Sequence, residues 1–461
     1  MKKDMLNGKP WKVILFFTLP ILLGNLIQQL YNVTDGIIVG NFVSESALAS
    51  VGSCQPLTIL LLALAIGLSV GVTVVVSQYY GANKREELPM VINTALILLG
   101  VCGMALTVIG YFAAPFLLEK LLSVPESNLP NAIIYMRVYV FGLTFQFIYN
   151  GMAASLRALG DSKATLYFLI TAVVFNAVAS ALAVIVFDLG VFGAALMTVM
   201  AQIICAVVSF IYLNKKISLS QTERRWDGSM AKLMTKLGMP IAIQMGLVSI
   251  GNGSMYRLVN GFAATVPGIV PAYTTVLRVE NLLYVPVMAF QSGLASFTGQ
   301  NVGAGKHDRV RSGLFATLAM SIMLLLIESA FINIFAENVL SLFGIESVSM
   351  QIGIQQIRFM SMFYWIFATY MTMGGLLQGA GDTILMSCAT LTALAMRVLL
   401  GYLSVYLGIL SYNAAWVTCP IGWLFALTIT YTRFFTGGWK KKAVVRRSSQ
   451  ETIEPINIES L

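Results

Sequence analysis

The chain has 461 residues, 57% of them hydrophobic and only 11% charged, with a formal net charge of +9. Soluble domains carry about 25% charged residues, so a water-soluble globule is excluded. The apolar segments run near-continuously for about 20 residues, the length a helix needs to cross roughly 30 Å of hydrocarbon, and they lack the alternation of a membrane β-barrel.

In chain order, MKKDMLNGKPWK leads straight into a full-length span with no small-residue cleavage site. Twelve spans are predicted, at 13–39, 47–77, 89–112, 131–154, 164–187, 190–213, 233–261, 269–298, 312–335, 349–375, 383–407 and 412–434. The linkers between them are rich in Gly, Pro, Asn and charge. The longest interior one, NKKISLSQTERRWDGSMAK, divides the chain near its middle. The expected organisation is a first lobe over 1–213, a cytoplasmic linker over 214–232, a second lobe over 233–435 and a basic then polar tail over 436–461. The five cysteines fall inside spans at unrelated spacings and form neither a metal pattern nor a disulfide framework.

Charge sets the expected orientation. With a cytoplasmic N-terminus, 23 of the 29 basic residues fall on the cytoplasmic side and only Lys120 falls in an opposite loop. Both termini are therefore expected in the cytoplasm of a multi-pass protein of the cell membrane. This topology accounts for the net positive charge without nucleic acid.

The chain also repeats itself at an offset of 220–222 residues. Leu19-Pro20 matches Met239-Pro240, Asn32 matches Asn252, SQYYGANK (77–84) matches GQNVGAGK (299–306), Arg137 matches Arg358, LRALGD (156–161) matches LQGAGD (377–382) and AALMT (194–198) matches AAWVT (414–418). Six spans return a chain to its starting side. The expected fold is thus all-α, with twelve transmembrane helices as two parallel six-helix repeats, related by a pseudo-two-fold along the membrane normal. Such repeats suit a carrier with its site between them.

Neither linker motif carries nucleotide chemistry. GAGKH fails the phosphate-loop pattern at Gln300 and His307, so it reads as a turn, and no enzyme activity is expected. In the Gly-Asp turns, Gly160 and Gly381 suit a helix end and Asp161 and Asp382 suit the cap of the next helix.

Ion coupling inside a membrane needs a group that changes charge or holds a cation. The sole histidine, His307, lies in a loop, and three acids fall within spans: Asp35, Glu280 and Glu328. Asn25, Gln28, Asn32 and Asp35 share one helix face, and a polar stripe ending in an acid should face an interior cavity rather than lipid. The repeat keeps Asn32 as Asn252 but replaces Asp35 by Met255, which makes the acid lobe-specific. Glu280, with Arg278 nearby, is a second candidate, for which a fixed ion pair is the plainer reading; Glu328 sits near a span end. FMSMFYWIFATYMTMGG (359–375) concentrates Met and aromatics that suit a promiscuous apolar cleft. Met362, Tyr370 and Met373 there, with Gln28 and Tyr31 in the first span, are the cleft candidates.

Taken together, the six-plus-six spans, the opening LP…Q…D, Q-x-x-G-A-x-K after spans 2 and 8 and L-x-x-x-G-D after spans 4 and 10 resemble the multidrug and toxic-compound extrusion (MATE) family over about residues 12–435. The resemblance implies a V-shaped antiporter that exports organic, often cationic, compounds in exchange for H+ or Na+, without a cofactor. It also implies cation-coupling roles for Asp35, Asn32, Asn150, Asn176 and Thr198. Ser180 stands where such proteins often carry a second aspartate, and the acid that others place in span 7 is missing. A carboxylate with Asn, Thr and Ser oxygens can hold Na+; one carboxylate also suffices for H+, which is preferred. The expected partners are a small organic substrate and the bilayer, and a monomer is expected. The rival is a flippase for lipid-linked saccharides from the same superfamily.

Overall fold

A computed structural model of the chain describes residues 5–42, 45–219, 225–345 and 347–445, without the side chains of 30–42, 45, 46 and 347. Among these residues there are helices and no strands, as expected where backbone groups have no water to bond and must satisfy one another within a segment. The helices are α1 (Pro10–Phe42), α2 (Glu45–Gly81), α3 (Leu88–Phe116), α4 (Leu129–Ala158), α5 (Ser162–Ala181), α6 (Gly190–Ile217), α7 (Gly228–Asn260), α8 (Ile269–Gly303), α9 (His307–Ser341), α10 (Ser347–Ser361), α11 (Tyr364–Ala380), α12 (Thr383–Tyr406), α13 (Ala414–Val417) and α14 (Cys419–Phe435). Among the described residues, ten helical segments are long and apolar enough to cross a membrane. Their outward faces agree: Val101, Met104, Val108, Ile109, Phe112 and Phe116 along α3 are all exposed, an apolar patch suited to lipid and not to water.

Two spans are less regular than expected. The segment over 349–375 is divided into α10 and α11 at Met362–Phe363, and the last span is divided into α13 and α14. No Pro or Gly marks the first break. Instead, Ser329 Oγ on α9 donates to Ser361 O (3.3 Å) and Asn333 donates to Ser361 Oγ (2.7 Å); side chains from a neighbour enter the helix ladder where it stops. The middle linker is also more helical than its composition suggests. α6 runs on to Ile217, and Asp227 caps α7 by accepting from Ser229 N (2.8 Å) and Met230 N (3.1 Å).

One end of the bundle, here the base, carries Met5 and Val445, the ends of the described chain, and the turns that follow α2, α4, α8 and α11. Its turns repeat. Asn83 and Gly305 occupy matching places in GANK and GAGK, and both have left-handed backbones (φ 62° and 73°), a conformation Asn tolerates better than most residues. Gly160 and Gly381 likewise both take positive φ (85° and 91°). Asp161 caps α5 through Ala164 N (3.2 Å), whereas Asp382 makes no cap bond and accepts from Arg433 Nε instead (2.6 Å).

The two halves of the chain meet closely in the lower part of the bundle. A Cβ on Gly71 of α2 would lie 2.1 Å from Met234 O of α7, and one on Gly67 would lie 2.4 Å from Ala242. On α2 and α8, a Cβ on Gly81 would lie 1.9 Å from Gln300 O, and one on Gly303 would lie 2.1 Å from Gln78 O. Towards the other end, Gly52 of α2 and Gly253 of α7 have no such neighbour within 4 Å among the described residues. The cores interlock as well. Met5, Val13, Ile14 and Phe17 pack in the apolar cluster built from α8, α9, α11 and α14, while Met234, Leu237 and Val445 pack in the cluster built from α2, α3 and α4.

Candidate functional site

In the first half, the candidates gather where α5 and α6 pack. Asn176 of α5 is buried and donates from Nδ2 to Thr198 Oγ1 of α6 at 3.2 Å, and Thr198 Oγ1 donates in turn to Ala194 O at 3.1 Å. Ser180 lies one turn beyond Asn176 on the same face. It is fully buried, and its hydroxyl has no hydrogen-bond partner among the described residues. A buried hydroxyl without a partner costs free energy, about 1–3 kcal/mol, and the hydroxyls of Thr18, Ser209, Thr298, Thr383 and Ser387 are in the same position among the described residues. Asn150 on α4 does not join the pair; it is half-buried and donates to Gln146 O of its own helix (2.8 Å).

α1 runs beside α5. Ser162 Oγ donates to Phe17 O at 2.8 Å, and seven residues further along both helices a Cβ on Gly24 would touch Leu169 at 3.5 Å. α1 also reaches the π-turn Leu182–Val186 that closes α5. Tyr31, Asn32 and Asp35 lie in the helical stretch of α1 whose side chains are outside the described ones. Gln28 is exposed.

In the second half, Glu280 of α8 is 4% exposed and accepts from Tyr364 OH at 2.9 Å. Tyr284 lies beside it, and the Arg397 guanidinium lies within electrostatic range. Around these groups is an aromatic box: Tyr284 and Phe367 have centroids 4.2 Å apart, and Phe367 and Trp423 are 5.3 Å apart. Arg397 donates to Tyr273 OH (3.2 Å), Ala415 O (3.2 Å) and Asn252 Oδ1 (3.3 Å). Asn252 is the repeat partner of Asn32. Sequence reading did not single out Arg397, Tyr273 or Tyr364; the only signal was an arginine inside a span.

The Arg278–Glu280 pair is not formed. Arg278 is exposed and lines a separate cleft of about 540 Å³ with Gly268, Thr274 and Ser349; residues two apart on a helix do not face each other. Glu328 is half-buried, with Oε2 lacking a hydrogen-bond partner among the described residues. Tyr370 and Met373 are buried in the second-half core, with Thr430 Oγ1 donating to Met373 Sδ at 3.9 Å, while Met362 is exposed at the α10–α11 break. These three do not converge on one surface.

Comparison with known proteins bears on the whole chain. The MatE family profile matches residues 20–182 and 240–403. The probable multidrug resistance protein YoeA of Bacillus subtilis (strain 168) is 27% identical over 457 residues, covering 95% of this chain and 97% of the relative. The probable multidrug resistance protein YpnP of the same organism is 28% identical over 381 residues, 82% of this chain and 84% of the relative. Among solved structures, a crystal structure of MATE in complex with MaD3S superposes with a TM-score of 0.87 at 24% identity, over 95% of this chain and 99% of that one. An outward-facing conformation of a multidrug resistance MATE family transporter superposes with a TM-score of 0.86 over the same shares, also at 24% identity. At that identity the likeness shows the fold.

Proposed function

The chain belongs to the MatE family of multi-pass membrane transporters, not enzymes, and from that premise we propose that it is a secondary antiporter exporting organic, often cationic, compounds across the cell membrane in exchange for H+ or Na+. The two halves act as lobes that expose the path alternately to the two sides. The base, carrying both ends of the described chain, is the cytoplasmic side, and the arrangement described here is closed there. The glycine-mediated contacts low on α2, α7 and α8, and the lack of a neighbour to Gly52 and Gly253 among the described residues, support that reading.

The coupling site is Asp35, with Asn32, Asn176, Ser180 and Thr198 around it, and H+ is the preferred ion. The observation that supports this is the buried polar patch of Asn176, Thr198 and Ser180 on α5 and α6, with the Ser180 hydroxyl unpartnered among the described residues. The contacts Phe17–Ser162 and Gly24–Leu169 set α1 against α5 in a common register, and continuing that register sets position 35 level with Ser180. That shared depth of the α1 backbone at position 35 and of Ser180 supports the reading. Coupling then needs only that ion and substrate favour different lobe arrangements.

The test uses purified protein in liposomes, wild type beside Asp35→Asn, following efflux of a fluorescent organic cation under an imposed pH gradient and, separately, a sodium gradient. Loss of drive by one gradient in the variant, with folding kept, establishes the site and names the ion. Equal drive in both proteins overturns it. A second reading is favoured by Glu280, whose buried carboxylate, bonded by Tyr364, is a proton or cation site in the other lobe; Glu280→Gln in the same assay decides between them. The saccharide-flippase alternative is favoured by none of the relatives above. A relative in Shewanella oneidensis named FAD transporter, 26% identical over 74% of this chain and 76% of its own length, makes an anionic cargo worth including in the substrate panel.

A further inference from the structure

The two Q-x-x-G-A-x-K motifs, read from sequence as turns with a basic end, meet each other in the fold. Gln78 and Gln300 are both fully buried. Gln78 on α2 donates from Nε2 to Gly379 O at the end of α11 (3.0 Å), and Gln300 on α8 donates from Nε2 to Ala158 O at the end of α4 (2.7 Å). Each bond crosses from one half of the chain to the other, and Ala158 and Gly379 are themselves matching positions of the repeat. Both acceptors lie in the last turn of a helix, where carbonyls have no partner further along. The glycine three residues after each glutamine lets the backbones touch, since a Cβ on Gly81 or Gly303 would strike the opposite glutamine's carbonyl.

The symmetry is broken at one place. Gln78 Oε1 accepts from Val444 N (2.6 Å) and Val445 N (3.4 Å), whereas Gln300 Oε1 has no partner among the described residues. The segment after α14 leaves the second half at buried Trp439, which stacks on Phe434 (6.3 Å, 6°), and ends with Val445 in the first-half core. It is a strap over the closed base.

We propose that Gln78 and Gln300 are positioning residues of the transport cycle, holding the base closed through reciprocal bonds to the opposite lobe, and that residues 438–445 strengthen this closure through Gln78 alone. The proposal rests on the two-lobe reading above. Opening the base must break both cross-lobe bonds and release the strap.

The test is a pulsed electron–electron distance measurement in nanodiscs between spin labels at Glu86→Cys and Asp308→Cys, exposed positions on the base of each half, with the five native cysteines replaced by alanine. Gln78→Met, Gln300→Met and a chain ending at Gly437 are compared with the full chain. Losing a buried neutral hydrogen bond shifts such an equilibrium by about fivefold. The longer-distance population should therefore rise by about that factor in each variant. Gln300→Met and the shortened chain should combine multiplicatively, and Gln78→Met and the shortened chain less than multiplicatively. Unchanged distances in folded Gln78→Met and Gln300→Met overturn the proposal. If a glutamine variant does not fold, the shortened chain, which leaves every span intact, decides it by the same shift or its absence. A full chain that stays at one distance under every gradient and substrate sinks the alternating reading, and a shift in the variants still supports the latch.

Discussion

At the scale of single residues, the repeat makes the structure its own control. Asp161 and Asp382 fill one motif position, yet Asp161 caps its helix and Asp382 binds Arg433. The cap was legible from Gly-Asp before an apolar run; the capture by a residue 51 positions away was not, because no local pattern encodes it. Asp161 also accepts from Tyr212 OH (2.8 Å) and from Lys216 Nζ. Burial alone would raise its carboxyl, but the bonds from Lys216 and Tyr212 outweigh that and hold it below the usual carboxylate range. A depressed folded value stabilises the protein above the ordinary value near 4, and that contribution is lost as pH falls through the depressed one. Asp161→Asn should therefore cost about 1–2 kcal/mol at neutral pH. The gap in melting temperature between the two proteins should hold steady above about pH 5 and shrink below about pH 4; a pH-independent gap would refute this account. Asp35 is the reverse case: the stripe that marks it was plain in the sequence, whereas the orphan hydroxyl of Ser180 needed α5 and α6 in place.

At the scale of elements, helix existence followed from apolar runs, but helix breaks and crossings did not. The α10–α11 break depends on Ser329 and Asn333 from another helix, so nothing within 349–375 announces it. The Met and aromatic run there reads equally as cleft lining and as core. Tyr370 and Met373 pack as core because α14 lies against α11. Glycines in α2 look alike in sequence and differ completely in role. Gly71→Ala would push a methyl into the Met234 carbonyl, whereas Gly52→Ala meets nothing among the described residues. The first should lower stability by about 1–3 kcal/mol, and the second should stay within about 0.5 kcal/mol of wild type. Parallel melting curves in detergent check both, and equal melting temperatures would show that the α2–α7 crossing is looser than described.

At the scale of the whole molecule, the offset in the sequence anticipated matching turns but not the exchange of core residues. Ile14 and Phe17 pack into the second half, and their repeat partners Met234 and Leu237 pack into the first. A chain cut between residues 220 and 224 and expressed as two pieces should therefore copurify as a one-to-one pair, while either piece alone should be degraded; stable recovery of a lone half would contradict the exchange. The same interlocking bears on how the protein is made. At about 5–20 residues per second, ribosomes take roughly a quarter of a minute to a minute to travel from Phe17 to Gly293, the position of α8 that lies against it. Throughout that interval the first span stands in the membrane with its destined surface unbuilt. Until α8 arrives, lipid has to cover Val13, Ile14 and Phe17 in its place.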